Sequence, residues 1–215
     1  MKLTQLSEML ALQDKLNCRV DVHWRIRGNS WTRAIVAEAA EAMDHYGWKW
    51  WKKQTPDLPQ VRLELVDIWH FMLSFALENA ANPLEECAEA VAASAKHHEM
   101  LMQRSVLQNL EHLIARAAGG EIVISVFVAL MAQTGLTWDM LYETYIGKNV
   151  LNMFRQDHGY KTGTYIKDWD GVEDNVVLAG LIDIAGSEEG GVNADKLYSQ
   201  LEGVYRLIPR LRAVA

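Results

Sequence analysis

The chain has 215 residues, of which 50% are hydrophobic, so it can bury a sizeable core within one domain. Its formal charge of −7 excludes a general nucleic-acid-coating role, which needs a basic surface. Its longest apolar run, residues 122–132, is shorter than the roughly 20 residues a membrane span requires.

Helical periodicity dominates from the start. The first segment, about residues 3–17, places Leu3, Leu6, Leu10 and Leu16 near one stripe, with Gln13 and Asn17 four apart. Acids inside it exclude the apolar centre of a signal peptide, so a soluble, cytoplasmic protein is expected. Cys18 and Cys87 lie far apart and read as reduced thiols, not a metal pair. Residues 18–30 read as a loop, with Asn29 or Ser30 capping a second helix over about 31–46 that Gly47 ends. An aromatic and basic loop, GWKWWKKQTPDLP, precedes a third helix over about 60–79. Asn82 and Pro83 signal another start, for a long helix, continuous or broken, over about 84–117 that stops at Gly119-Gly120. Residues 121–135 begin β-branched, but their length and neighbours favour a buried helix. Thr137 caps a helix over about 138–156; an ordered loop, a short helix and a final helix over about 194–208 complete the chain. No linker or internal repeat divides it, so one all-α domain is expected over 1–215, with about 180–215 as a variable C-terminal part.

Four carboxylates carry the chemistry. Glu38 and Glu41 are three apart on the second helix, and Glu64 and Asp67 are three apart on the third, so each pair shares a helical face. Glu64 and Asp67 sit among Leu63, Leu65, Val66, Ile68, Trp69, Phe71, Met72 and Leu73, where an unpaired charge is costly. Neither pair has a basic partner one turn away on its own helix. If the pairs face each other, a divalent cation is the simplest compensation, and oxygen-only ligands favour Mg²⁺ or Mn²⁺. His70 lies one turn from Asp67, but the repeated E-x-x-H of di-iron bundles is absent, so iron fits less well. Carboxylate-held magnesium commonly serves a phosphorylated substrate, whose far end needs cations. Lys49, Lys52, Lys53, Lys148, Arg155 and Lys161 are available, with Lys148, Asn152 and Arg155 on one helical face.

These residues resemble a known family, the dimeric all-α dUTP diphosphatases, within the wider all-α nucleotide pyrophosphohydrolases that include MazG-type enzymes. The wider group is marked by E-x-x-E and E-x-x-D on successive helices. The narrower resemblance runs from about residue 10 to 175, through LQDKLN, EAAEAMDHYGWKWWKK, LELVDIWHF, KNVLNMFRQDHGYKTGTY and WDGVEDN. It implies a helical bundle that hydrolyses dUTP, with dUDP as a second candidate substrate, to dUMP by attack of water. Glu38, Glu41, Glu64 and Asp67 would hold two or three Mg²⁺ ions, and one glutamate of the first pair would position or deprotonate the water. Gln13, Asn17, Trp48, His70, Phe71 and Asn152 would bind the nucleoside; Lys49, Lys52, Lys148, Arg155, Tyr160 and Lys161 would grip phosphates. A homodimer is implied, with no nucleic-acid or membrane partner. Two other readings stand beside it: a related pyrophosphohydrolase acting on another nucleotide such as dCTP, and a helical interaction or regulatory protein. The last forty residues match nothing in the family pattern.

Overall fold

A computed structural model describes residues 2–80, 84–96, 98–186 and 192–208. The helix-start signal at Asn82 and Pro83, and the 187–191 part of the C-terminal segment, lie outside them. The described residues form an all-α fold: α1 (Leu3–Val20), α2 (Trp31–Tyr46), α3 (Leu58–Asn79), α4 (Leu84–Ser94), α5 (Val106–Ala118), α6 (Ile124–Thr134), α7 (Trp138–Asp157), α8 (Asp174–Gly186) and α9 (Ala194–Tyr205). The one strand pair among them, β1 (Asp168–Trp169) and β2 (Val172–Glu173), is a minimal hairpin turning on Asp170 and Gly171, both at positive φ. None of these helices is by itself long and apolar enough to cross a membrane. The chain divides into two compact units, the first of residues 1–15 and 23–141, the second of residues 16–22 and 142–215.

In the first unit α2 packs most extensively on α3 and also on α5, while α6 packs on α3 and α5. Ile35, Ala39 and Ala42 bury one stripe of α2. The facing α3 buries Val61, Leu65, Val66, Ile68, Trp69, Met72 and Leu73. Removing each such side chain from water contributes roughly 1.5–3 kcal/mol. Trp69 stacks on Phe127 with ring centroids 4.9 Å apart and meets Trp138 edge-on at 5.9 Å. The connection between α2 and α3 is closed at its base, where the Asp57 N–H donates to the His45 carbonyl at 2.9 Å. The Asp57 carboxylate then caps α3 by accepting from the Gln60 N–H at 3.2 Å. Gly47 ends α2 at φ +90°, and a Cβ there would meet Gln54 Cβ at 2.8 Å, so glycine is required twice over.

The long helix expected over 84–117 is two helices, α4 and α5, with a 3₁₀ turn at Glu99–Gln103 between them. Ser105 explains the restart. Its hydroxyl accepts from the Gln108 N–H at 3.2 Å while the Gln108 side chain accepts from the Ser105 N–H at 2.9 Å, a reciprocal capping box. Ser30, by contrast, precedes α2 without a side-chain capping bond. The 121–135 segment is the buried helix α6, closed by Gly135 at φ +70°.

In the second unit α8 packs on α9 and on β2. Its core is aromatic: Phe154 lies 5.2 Å from Tyr205, 5.9 Å from Trp169 and 3.9 Å from His158. At Gly147 on α7 a Cβ would fall 2.3 Å from Ile182 Cδ1 of α8, so a larger residue would displace that side chain.

Candidate active site

In the first unit the sequence-predicted acids of α2 and α3 come together. One carboxylate oxygen each from Glu38, Glu41 and Glu64 lies within 4.8 Å of the other two. The helix period explains the geometry: residues 38 and 41 share a face of α2, and the Ile35–Ala39–Ala42 stripe beside that face turns it toward α3. Asp67 lies outside the tight trio, yet its charge is the largest electrostatic influence on Glu38. Burial, then the charges of Asp67, Glu41 and Glu64 and a hydrogen bond with Glu64, push the Glu38 carboxyl up to about 7. Such convergence of like charges is what a cation-binding site needs.

One neighbour was not anticipated. His45 Nε2 lies 3.5 Å from Glu64 Oε1, across from its own helix. The signal was available in the spacing, because His45 falls four residues after Glu41 and shares its face of α2.

Of the nucleoside-binding residues expected in this unit, Gln13 and His70 form a buried pair, with Gln13 Oε1 2.8 Å from His70 Nδ1. With the Gln13 oxygen as acceptor, Nδ1 of His70 is the donor in this contact. Phe71 stacks on Trp31 at 6.4 Å, and Trp31 meets Trp24 edge-on at 5.9 Å. Trp31 was missed because a tryptophan at a helix start reads as ordinary core. Trp48 is exposed and donates through Nε1 to Asp44 at 2.9 Å. Lys49 pairs with the same carboxylate at 3.3 Å and lies over the Trp48 ring. These contacts hold Asp44 below the usual carboxylate range. Lys52 is exposed, as is Trp50, which is 89% accessible.

The remaining predicted residues belong to the second unit. Asn17 is buried there, and Lys148 is half-buried. Lys161 donates to the Val20 carbonyl at 2.8 Å. Tyr160 is half-exposed, with the Arg155 guanidinium 5.8 Å from its ring centre. Arg155 is not a bare cation. Its Nε and Nη2 donate to the two oxygens of Asp174, each at 2.8 Å, and Asp174 is fully buried. Burial opposes the arginine charge, but the hydrogen bonds and charge of Asp174 outweigh it and raise the guanidinium above its ordinary value. Tyr165 donates its hydroxyl to the same carboxylate at 2.8 Å, and burial together with that acceptor raises the phenol well above its usual range.

An all-α fold that gathers carboxylates from successive helices fits the architecture of nucleotide hydrolases that work through divalent cations. The chain belongs to the dUTPase family, whose profile, described as dUTPase, matches residues 5–160. It is therefore an enzyme, a dUTP diphosphatase, and the reading as a helical interaction protein is set aside. No curated protein matches the chain. The matched segment includes both acid pairs, the tryptophan-rich loop and Arg155, and stops short of Asp174.

Proposed function

We propose that the enzyme hydrolyses dUTP, and dUDP with it, in a Mg²⁺-dependent reaction that yields dUMP and, from dUTP, pyrophosphate. The observation that carries this reading is the approach of Glu38, Glu41 and Glu64 to within 4.8 Å in a chain of the dUTPase family. The donors are all carboxylate oxygens, the set Mg²⁺ and Mn²⁺ favour, and burial together with the neighbouring carboxylates raises Glu38. Asp67 completes the set through its charge at Glu38. When bound there, two or three such ions would offset phosphate charge and make water a better nucleophile.

The protein's own groups would do the rest. One glutamate of the Glu38–Glu41 pair takes the proton of the attacking water as the α–β phosphoanhydride bond breaks in line. Gln13, His70 and Phe71 contact the nucleoside in the first unit, where Trp48 adds a wall. With Nδ1 of His70 donating to Gln13, Nε2 would act as an acceptor toward a base that offers an N–H. Lys49 and Lys52 supply cations to the phosphates. In the second unit we assign Asn17 and Asn152 to the nucleoside and Lys148, Arg155, Tyr160 and Lys161 to the phosphates. Arg155, its charge offset by Asp174, serves there more as an anchor than as a free cation. The working form is proposed to be a cytoplasmic homodimer.

Pyrophosphate release from a panel of dUTP, dCTP, dTTP and UTP, with Mg²⁺ and with EDTA, tests the reading. Turnover of dUTP alone, abolished by EDTA and restored by Mg²⁺ or Mn²⁺, is expected. Equal turnover of dCTP would overturn the base assignment, and full activity in EDTA would overturn the cation assignment.

A further inference from the structure

Asp174 is the most completely enclosed acid among the described residues, at 0% exposure, and no step above uses it. It opens α8, where a carboxylate also meets the positive end of the helix dipole. Its own N–H donates to the Lys167 carbonyl at 3.0 Å, which ties the hairpin to the helix start. Its two oxygens take Nε and Nη2 of Arg155, and Oδ2 also takes the Tyr165 hydroxyl. The planar guanidinium is thereby held in one orientation, with its remaining nitrogen turned along α7. That nitrogen, Nη1, donates to Asn152 Oδ1 at 3.2 Å. A guanidinium can only donate, so the edge of Asn152 that faces Arg155 must be its oxygen. The Asn152 NH₂ therefore points the other way, as a donor.

We propose that Asp174 is a positioning residue for substrate binding: by locking Arg155 it holds the Asn152 amide with its NH₂ turned outward, toward an acceptor oxygen of the deoxynucleotide. The proposal rests on the assignment of Asn152 as a nucleotide contact. Asp174 lies beyond residues 5–160, which the family profile matches, and its part follows from the hydrogen-bond chain.

The test is steady-state pyrophosphate release by the full-length protein with Mg²⁺ and dUTP. Asp174→Asn removes the charge that orients Arg155 and should raise KM about tenfold while kcat stays within about twofold, as loss of a binding contact requires. Tyr165→Phe keeps the ring that stacks on Tyr205 at 5.5 Å but removes one bond to Asp174, and should raise KM about twofold to threefold. In an Asn152→Ala background, the KM effect of each substitution should shrink several-fold, to what Arg155 itself contributes at the phosphates. A KM increase of the same size in that background, tracking a fall in Tm, would mean a merely structural role and would overturn the proposal. If Asp174→Asn does not fold, the Tyr165→Phe pair of measurements decides alone. The two assignments fail differently: an unchanged KM in Asn152→Ala removes Asn152 from the binding site, whereas a raised KM there with unchanged KM in both other variants removes Asp174 only.

Discussion

The acid face shared by α2 and α3 and the Arg155–Asp174 pair between α7 and α8 are built from the same charged groups to opposite effect. On the first, carboxylates approach one another, with His45 Nε2 3.5 Å from Glu64 Oε1. In the second, a buried carboxylate meets a guanidinium through two bonds of 2.8 Å. A closed pair satisfies itself and becomes part of the fold, whereas an open cluster stores repulsion that a bound cation can relieve. Burial alone does not say what an acid does; the groups that face it do.

The sharpest way to break this contrast is Asp174→Ala, which strands the arginine charge in the interior. It should cost about 3–5 kcal/mol of stability by urea denaturation, the usual effect of removing one partner of a buried ion pair. Glu41→Gln removes an exposed member of the open cluster, so the fold should persist. Activity with dUTP should fall at least about 100-fold, and a parallel loss is expected for Asp67→Asn. Near-normal turnover in both variants would end the cation-site reading.

Glu38→Gln is a gentler probe, read as thermal stability in EDTA. The folded protein raises this carboxyl from 4.5 to about 7, so its proton is held more tightly folded than unfolded. The associated stability is therefore complete below about pH 4.5 and is lost as pH rises toward 7. The glutamine variant should match the parent near pH 4.5 and exceed it by a few degrees, roughly 2–5 °C, at pH 7.5. Mg²⁺ should raise the Tm of the parent more than that of the variant. Smallest of all, Arg206→Ala removes an exposed i,i+4 bridge to Glu202 and should change stability by less than about 0.5 kcal/mol.

Much of the open cluster could be read in the chain, because it is written in helical periodicity. Glu38, Glu41 and Glu64 are close in sequence to the stripes that orient them, and Ser30, Gly47 and Pro59 bracket their helices. The closed pair was not legible in the same way. Asp174 falls within WDGVEDN, but nothing local in the sequence marks its role, because its partners Arg155 and Tyr165 reach it only once the hairpin has folded. The break between α4 and α5 was better signalled than it was read: Ser105 and Gln108 have the spacing of a capping box. His45 was likewise at helical spacing, but a histidine carries no fixed charge to draw attention. Arg155 was expected as a free phosphate grip because its counterion lies nineteen residues away along the chain, outside any local pattern.

The clasp between His45 and Asp57 has a further consequence. It joins the end of α2 to the start of α3 by bonds that lie at the foot of the connection, not in its tip. The tip is a separable module: Trp50, Trp51, Lys52 and Lys53 are exposed beyond the clasp. Lengthening a loop costs little once its ends are joined, about 0.6 kcal/mol per doubling. Evolution, or an engineer, can therefore vary this aromatic and basic tip without dephasing the two rows of carboxylates.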